Sequence, residues 1–195
     1  MTCREAVAIL TAELGDTPFV VFTTGMISRE AAAADRAGRF YMVGSMGLAC
    51  PIALGVALAQ PGRAVVAVDG DGSALMALGT LAMVGYHAPE RFLHVVLDNE
   101  AYESTGGQPS ISARTPLEAI ARAAGYPHAR RVDSPESLAD ALREFRDALG
   151  PAFLLVKVSS ERGPAPPRVK LSPIELRDRS RGFLARRGGG CGGEE

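Results

Sequence analysis

Residues 65–76 read VVAVDGDGSALM, a hydrophobic run that meets Gly70-Asp71-Gly72-Ser73 and passes directly into a helical pattern. The run predicts a buried strand over 64–68, a turn over 69–72 and a helix over 73–84. Such a turn can present backbone N–H groups and a helix start to an anion, and its glycines permit close approach. Asp71 adds a hard carboxylate oxygen of the kind magnesium prefers. For a lone GDG, the plain alternative is a tight strand-to-helix turn with a capping aspartate.

The same rhythm extends in both directions. Upstream, a helical face of Val7, Ile9, Leu10 and Leu14 precedes the apolar run 19–22, which ends at Thr23-Thr24-Gly25. Ser28 reads as the cap of a following helix, and a further helix runs from Gly47 to about Ala59, closed by Pro61-Gly62. Downstream come an apolar strand over 92–97, a loop over 98–109, helices over 116–124 and 135–148, and a closing strand over 153–158. Continuous apolar strands alternating with helices predict an α/β fold, a parallel sheet flanked by helices on both faces. One domain over 1–160 is expected, then a linker and short helix over 161–184 and a flexible tail over 185–195.

Asp98-Asn99 ends the strand that follows the GDG unit. Successive strand C-termini of a parallel sheet fall on one edge, so Asp71 and Asn99 can converge on one ion, with a backbone carbonyl near Ala101 as a third oxygen. Phosphate oxygens and water would complete the octahedral shell of magnesium.

Composition narrows the function classes. Hydrophobic residues make up 47 % and charged residues 22 % of the 195, with a formal net charge of −1. This balance suits a globular protein and leaves no basic footprint for nucleic acid. No apolar run reaches the roughly 20 residues of a membrane span, and the N-terminus lacks the pattern of a secretory signal. Cys3, Cys50 and Cys191 show no metal or disulfide spacing. A reduced, cytoplasmic protein without membrane or nucleic-acid partners is therefore expected. His87, His94 and His128 fall on a helix end, an apolar strand and a connection, where structural roles are expected.

With these residues in view, the sequence resembles the thiamine diphosphate (ThDP)-dependent enzymes, whose cofactor motif is GDG followed one unit later by an asparagine pair. Here Asp98 replaces the first asparagine and makes the local charge more negative. TTGMISRE at 23–30, FYMVGSMG at 40–47, DNEAYESTGGQPS at 98–110 and LSPIEL at 171–176 resemble the narrower phosphonopyruvate and sulfopyruvate decarboxylase family. The resemblance implies the ThDP-binding (PP-domain) fold, with ThDP and Mg2+ as cofactors and Asp71, Asn99 and the Ala101 carbonyl on the metal. It implies Met46 as the wedge that bends the cofactor and the Gly44 carbonyl as acceptor for its amine. Thr24, Gly25, Ser45, Gly70, Gly72, Ser73 and Tyr102 complete the implied contacts, and Ser104 to Gln108 could form a polar loop near the substrate.

The implied reaction is non-oxidative decarboxylation of a small anionic 2-keto acid, 3-phosphonopyruvate or sulfopyruvate, to the acetaldehyde derivative and CO2. The glutamate that activates ThDP is expected on a partner, an alpha-type subunit carrying the pyrimidine-binding domain. Glu5, Glu13, Glu30 and Glu100 read instead as surface or loop carboxylates. A ThDP-binding regulatory subunit without turnover, and another ThDP reaction such as acetolactate-type carboligation, are the alternatives.

Overall fold

The computed structural model describes residues 1–161 and 164–186; Cys191 and all but the first two residues of the expected tail lie outside these. In chain order the elements are α1 (Cys3–Leu14), β1 (Phe19–Phe22), α2 (Met26–Ala33), β2 (Arg39–Tyr41), α3 (Ala49–Ala59) and β3 (Val65–Gly70). Then follow α4 (Asp71–Met76), α5 (Gly79–His87), β4 (Phe92–Asp98), β5 (Ala101–Tyr102), β6 (Gln108–Pro109) and α6 (Leu117–Ala123). The remaining elements are β7 (His128–Val132), α7 (Pro135–Arg146), β8 (Ala152–Lys157) and α8 (Pro173–Ala185).

Six strands form one sheet in the order β2-β1-β3-β4-β8-β7, parallel at every pairing. The strands alternate their side chains between two covered faces, and this is why their sequences are continuously apolar. Val20, Phe22, Val68, Val95 and Leu154 enter one core with Leu10 of α1 and Leu138 of α7. Phe19, Val21, Ala67, Val96 and Phe153 enter the other with Ala53 of α3, Leu81 of α5 and Leu117 of α6. Helix starts are fixed locally by capping boxes: Thr2 with Glu5 on α1, Ser134 with Ser137 on α7, and Ser172 with Glu175 on α8.

Four expectations need correction. Ser28 caps nothing; it lies inside α2 and its hydroxyl donates to the Phe22 carbonyl at 3.1 Å, because α2 already starts at Met26 after Gly25 turns the chain with φ 94°. No turn separates β3 from the next helix: β3 runs to Gly70 and Asp71 is already helical. The single helix expected over 73–84 is two, α4 and α5, broken at Ala77-Leu78. The stretch 128–132 is an edge strand rather than a connection, with only Ala129 and Val132 buried. No helix among the described residues is long and apolar enough to cross a membrane.

Candidate active site

The C-terminal ends of β1, β3 and β4 open onto a cavity of about 360 Å3. Eleven of the twelve residues singled out from the sequence line it: Thr24, Gly25, Ser45, Met46, Gly70, Asp71, Gly72, Ser73, Asn99, Ala101 and Tyr102. Gly44 does not; it is exposed beside them. A larger cavity, about 430 Å3, lies at the opposite end of the sheet between α1 and α7. That end holds the strand N-termini, whereas open parallel sheets bind ligands beyond their strand C-termini, so the smaller cavity is the candidate site.

Asp71 opens α4, where Gly70 provides no side-chain cap, and its carboxylate is almost fully buried. Two hydroxyls hold Oδ2: Ser110 by a short hydrogen bond and Ser112 at 3.1 Å. Burial pushes the Asp71 carboxyl above its ordinary range, the Ser110 hydroxyl opposes this, and the nearby charge of Asp98 adds to it. A buried carboxylate in this condition is relieved by a bound cation. Asn99 Oδ1 accepts the N–H of Ala101 at 3.1 Å, so the two other candidate oxygen donors share one tight turn. One carboxylate, one amide and one carbonyl are all hard oxygens and suit magnesium, which takes few protein ligands beside phosphate. No cage of three His, Cys, Asp or Glu side chains occurs among the described residues.

Met46, Gly72 and Tyr102 meet closely. A Cβ added to Gly72 would collide with the Tyr102 ring and come within 3.0 Å of the Met46 methyl, so Gly72 supplies space rather than conformational freedom. Ser45, just before Met46, holds φ 61°, a left-handed conformation that is costly for a non-glycine residue and concentrates at functional sites. Gly25 is equally constrained: a Cβ there would stand 2.7 Å from Ser104 Oγ. Ser104 and Thr105 reach the cavity, while Gly106 to Gln108 turn back into the β5–β6 hairpin, where Gln108 Nε2 donates to the Thr105 carbonyl at 3.1 Å.

Several supporting contacts were not legible in the motif. Ser73 Oγ accepts the N–H of Gly47 at 3.0 Å and lies 2.9 Å from Thr23 Oγ1, and Asp69 Oδ2 lies 3.0 Å from His94 Nε2. His94 is thus a buried structural partner, as its apolar strand suggested; neither it nor His87 nor His128 lines the cavity. Ser110, Ser112 and Lys157 support the acids from behind. Cys3 also lines the cavity, but burial, with Glu103 and Glu30 nearby, pushes its thiol up to about 12. It is a neutral wall rather than a nucleophile. Glu5 belongs to a cap, Glu13 pairs with Arg143, Glu30 with Arg4 and Glu100 with Lys157, as surface or loop carboxylates do.

The family described as thiamine pyrophosphate enzyme, C-terminal TPP binding domain, matches residues 23–156. Phosphonopyruvate decarboxylase of Streptomyces viridochromogenes is 45 % identical over 176 residues, covering 90 % of this chain and 44 % of that protein. Sulfopyruvate decarboxylase subunit beta of Methanococcus maripaludis is 36 % identical over 180 residues, covering 92 % of this chain and 95 % of that subunit. The chain thus spans less than half the length of the phosphonopyruvate decarboxylases it matches. Among solved structures, benzoylformate decarboxylase from Polynucleobacter necessarius superposes with a TM-score of 0.68 over 83 % of this chain and 34 % of that one. At 19 % identity that likeness speaks for the fold alone.

Proposed function

Because the chain belongs to the thiamine pyrophosphate enzyme family, as its C-terminal TPP-binding domain, we propose that it is the diphosphate- and Mg2+-binding, beta-type part of a 2-keto acid decarboxylase. The substrate in this reading is 3-phosphonopyruvate and the products are phosphonoacetaldehyde and CO2. The observation that carries it is the gathering of Asp71, Asn99, Ala101 and Met46 on one cavity at the strand C-termini. When bound, ThDP acts as the electron sink for the bond broken in decarboxylation.

The roles of the chain's own residues follow from their chemistry. Asp71, Asn99 Oδ1 and the Ala101 carbonyl hold Mg2+, and Gly70 to Ser73 approach the diphosphate. Met46, pressed against Gly72 and Tyr102, would stand against the cofactor, with Thr24, Gly25 and Ser45 as neighbouring walls; the Gly44 carbonyl, just outside the cavity lining, would accept from the cofactor's amine. Ser104 and Thr105 are hydroxyl donors for the anionic substrate. The activating glutamate comes from an alpha-type partner with a pyrimidine-binding domain. Exposed apolar side chains on and around the Val43–Leu48 segment, namely Val43, Met46, Leu48 and Met76, support such a covering chain.

Sulfopyruvate is the second substrate reading, supported by the near-complete span of a sulfopyruvate decarboxylase beta subunit. Calorimetric titration of ThDP with Mg2+ into the chain, with and without the product of a neighbouring gene, tests the binding role. CO2 release from phosphonopyruvate and from sulfopyruvate then separates the substrates. Failure to bind ThDP at millimolar concentration in either preparation would remove the site assignment. Binding without turnover on any keto acid would leave a regulatory subunit.

A further inference from the structure

Where the family motif carries an asparagine, this chain carries Asp98, a second buried acid joined through Ser112 to Asp71. Asp98 is 2 % exposed, and Ser112 Oγ stands 2.8 Å from Asp98 Oδ1 and 3.1 Å from Asp71 Oδ2. A serine hydroxyl has one proton, so the two carboxylates compete for it. An unpaired buried charge would be costly here.

The compensation comes from the neighbouring strand. In the β4–β8 register Asp98 stands beside Lys157, whose Nζ donates to Asp98 Oδ2 at 2.8 Å and to Glu100 Oε1 at 2.5 Å. Asp98 Oδ1 in turn accepts the N–H of Glu100 at 3.0 Å. Glu100 holds φ 59°, a conformation a non-glycine residue keeps only when its surroundings impose it. Lys157 therefore grips the first and third residues of the turn Asp98–Ala101. The two candidate metal donors of that turn, Asn99 and Ala101, lie directly after those two anchors.

Resting on the reading that this edge holds Mg2+, we propose that Lys157 is a positioning residue for the metal. It cancels the charge that Asp98 adds and fixes the turn that presents Asn99 and Ala101. The Asp98–Lys157 pair is electrically equal to a neutral amide, and unlike an amide it ties β8 to the metal turn.

The test titrates Mg2+ at saturating ThDP by calorimetry, using the full chain with its partner present and folding checked by circular dichroism. Lys157→Met is expected to weaken Mg2+ binding by about tenfold or more, the scale of outer-shell changes at metal sites. Lys157→Arg keeps the charge and should bind as the unsubstituted chain does. In the double variant D98N/K157M, which removes both charges of the Asp98–Lys157 pair, part of the lost affinity should return, a coupling that only interacting residues give, while the share due to the lost hold on Glu100 stays lost. Should K157M not fold, D98N carries the comparison, because its lysine, left with Glu100 alone, loses its hold on the first residue of the turn and should weaken Mg2+ binding.

A K157M chain that binds Mg2+ normally and only melts earlier would overturn the proposal, leaving an ordinary ion pair. A double variant with no recovery would overturn it as well. If the unsubstituted chain binds no ThDP and Mg2+, the functional reading itself falls and this inference with it; normal binding beside an indifferent K157M removes this inference alone.

Discussion

Ser73 Oγ donates to Asp69 Oδ1 at 2.6 Å while accepting the N–H of Gly47 at 3.0 Å. One hydroxyl thus pins the segment carrying Met46 to the start of α4, and through Asp69 to His94 in the sheet interior. Ser73→Ala leaves the Gly47 N–H and an Asp69 oxygen short of partners, a loss worth about 1–3 kcal/mol per buried group. Denaturant titration should give a lower midpoint, and calorimetry a weaker ThDP affinity than the stability loss alone explains.

The same network gives a pH dependence. Burial alone would favour neutral His94, but Cys50 and Asp69 beside it outweigh burial and raise the imidazole from 6.5 to about 10. A base raised on folding contributes stability that is complete below about pH 6.5 and is lost as pH climbs through about 10. Melting temperature should therefore decline across that window, and His94→Gln should flatten the decline. An equally steep profile in H94Q would assign the dependence to other groups.

Asp71 sets stability against binding. Its carboxyl is raised mainly by burial, so above the ordinary carboxylate range the ionised form costs the empty chain stability. Asp71→Asn should melt at the same or a higher temperature without cofactor, yet lose at least about tenfold in Mg2+-dependent ThDP affinity, a fall no smaller than outer-shell changes give. Thermal shift with and without ThDP and Mg2+ reads both effects.

Gly72→Ala places a methyl group against the Tyr102 ring and the Met46 methyl. Overpacking of this kind costs about 1–3 kcal/mol. The chain should still fold, with ThDP binding lost, and a crystal structure should find Met46 or Tyr102 displaced.

Phe153 is fully buried in β8 and stands edge-on to His94 and Tyr126, with ring centroids 5.2 Å and 5.9 Å away. Phe153→Ala should cost about 3–5 kcal/mol, the range for deleting a core aromatic. Urea unfolding would detect this as a lowered midpoint with little change in slope.

The legible parts of the fold were those written in contiguous residues. β1, β3, β4 and β8 are buried on both faces and so appear as apolar runs; of the helices between them α7 declares its cap at Ser134, whereas α2 to α6 start without a side-chain cap. β7 escaped because an edge strand has less to bury: His128, Arg130 and Arg131 break up its hydrophobic pattern. The β5–β6 hairpin is too short to leave a period. At the site, Asp71, Asn99 and Met46 could be read because glycines and strand ends flank them. Ser110, Ser112 and Lys157 could not, because each meets its acid across 14 to 59 positions of chain, and nothing local distinguishes a serine or lysine that does so.

The strand order also constrains how the chain is made. Among the described residues β7 pairs only with β8, which the ribosome delivers after it, so β7 emerges before its strand partner. At the other edge, β2 is flanked by α8, synthesised later still, whose Phe183 ring packs over Gly38 and whose Arg179 pairs with Asp35. Both margins of the sheet therefore stay open until late segments arrive, and uncovered strand edges invite pairing with other chains. Until β8 and α8 have been synthesised, the nascent chain presents such edges, and pairing with other chains can compete with its own late segments.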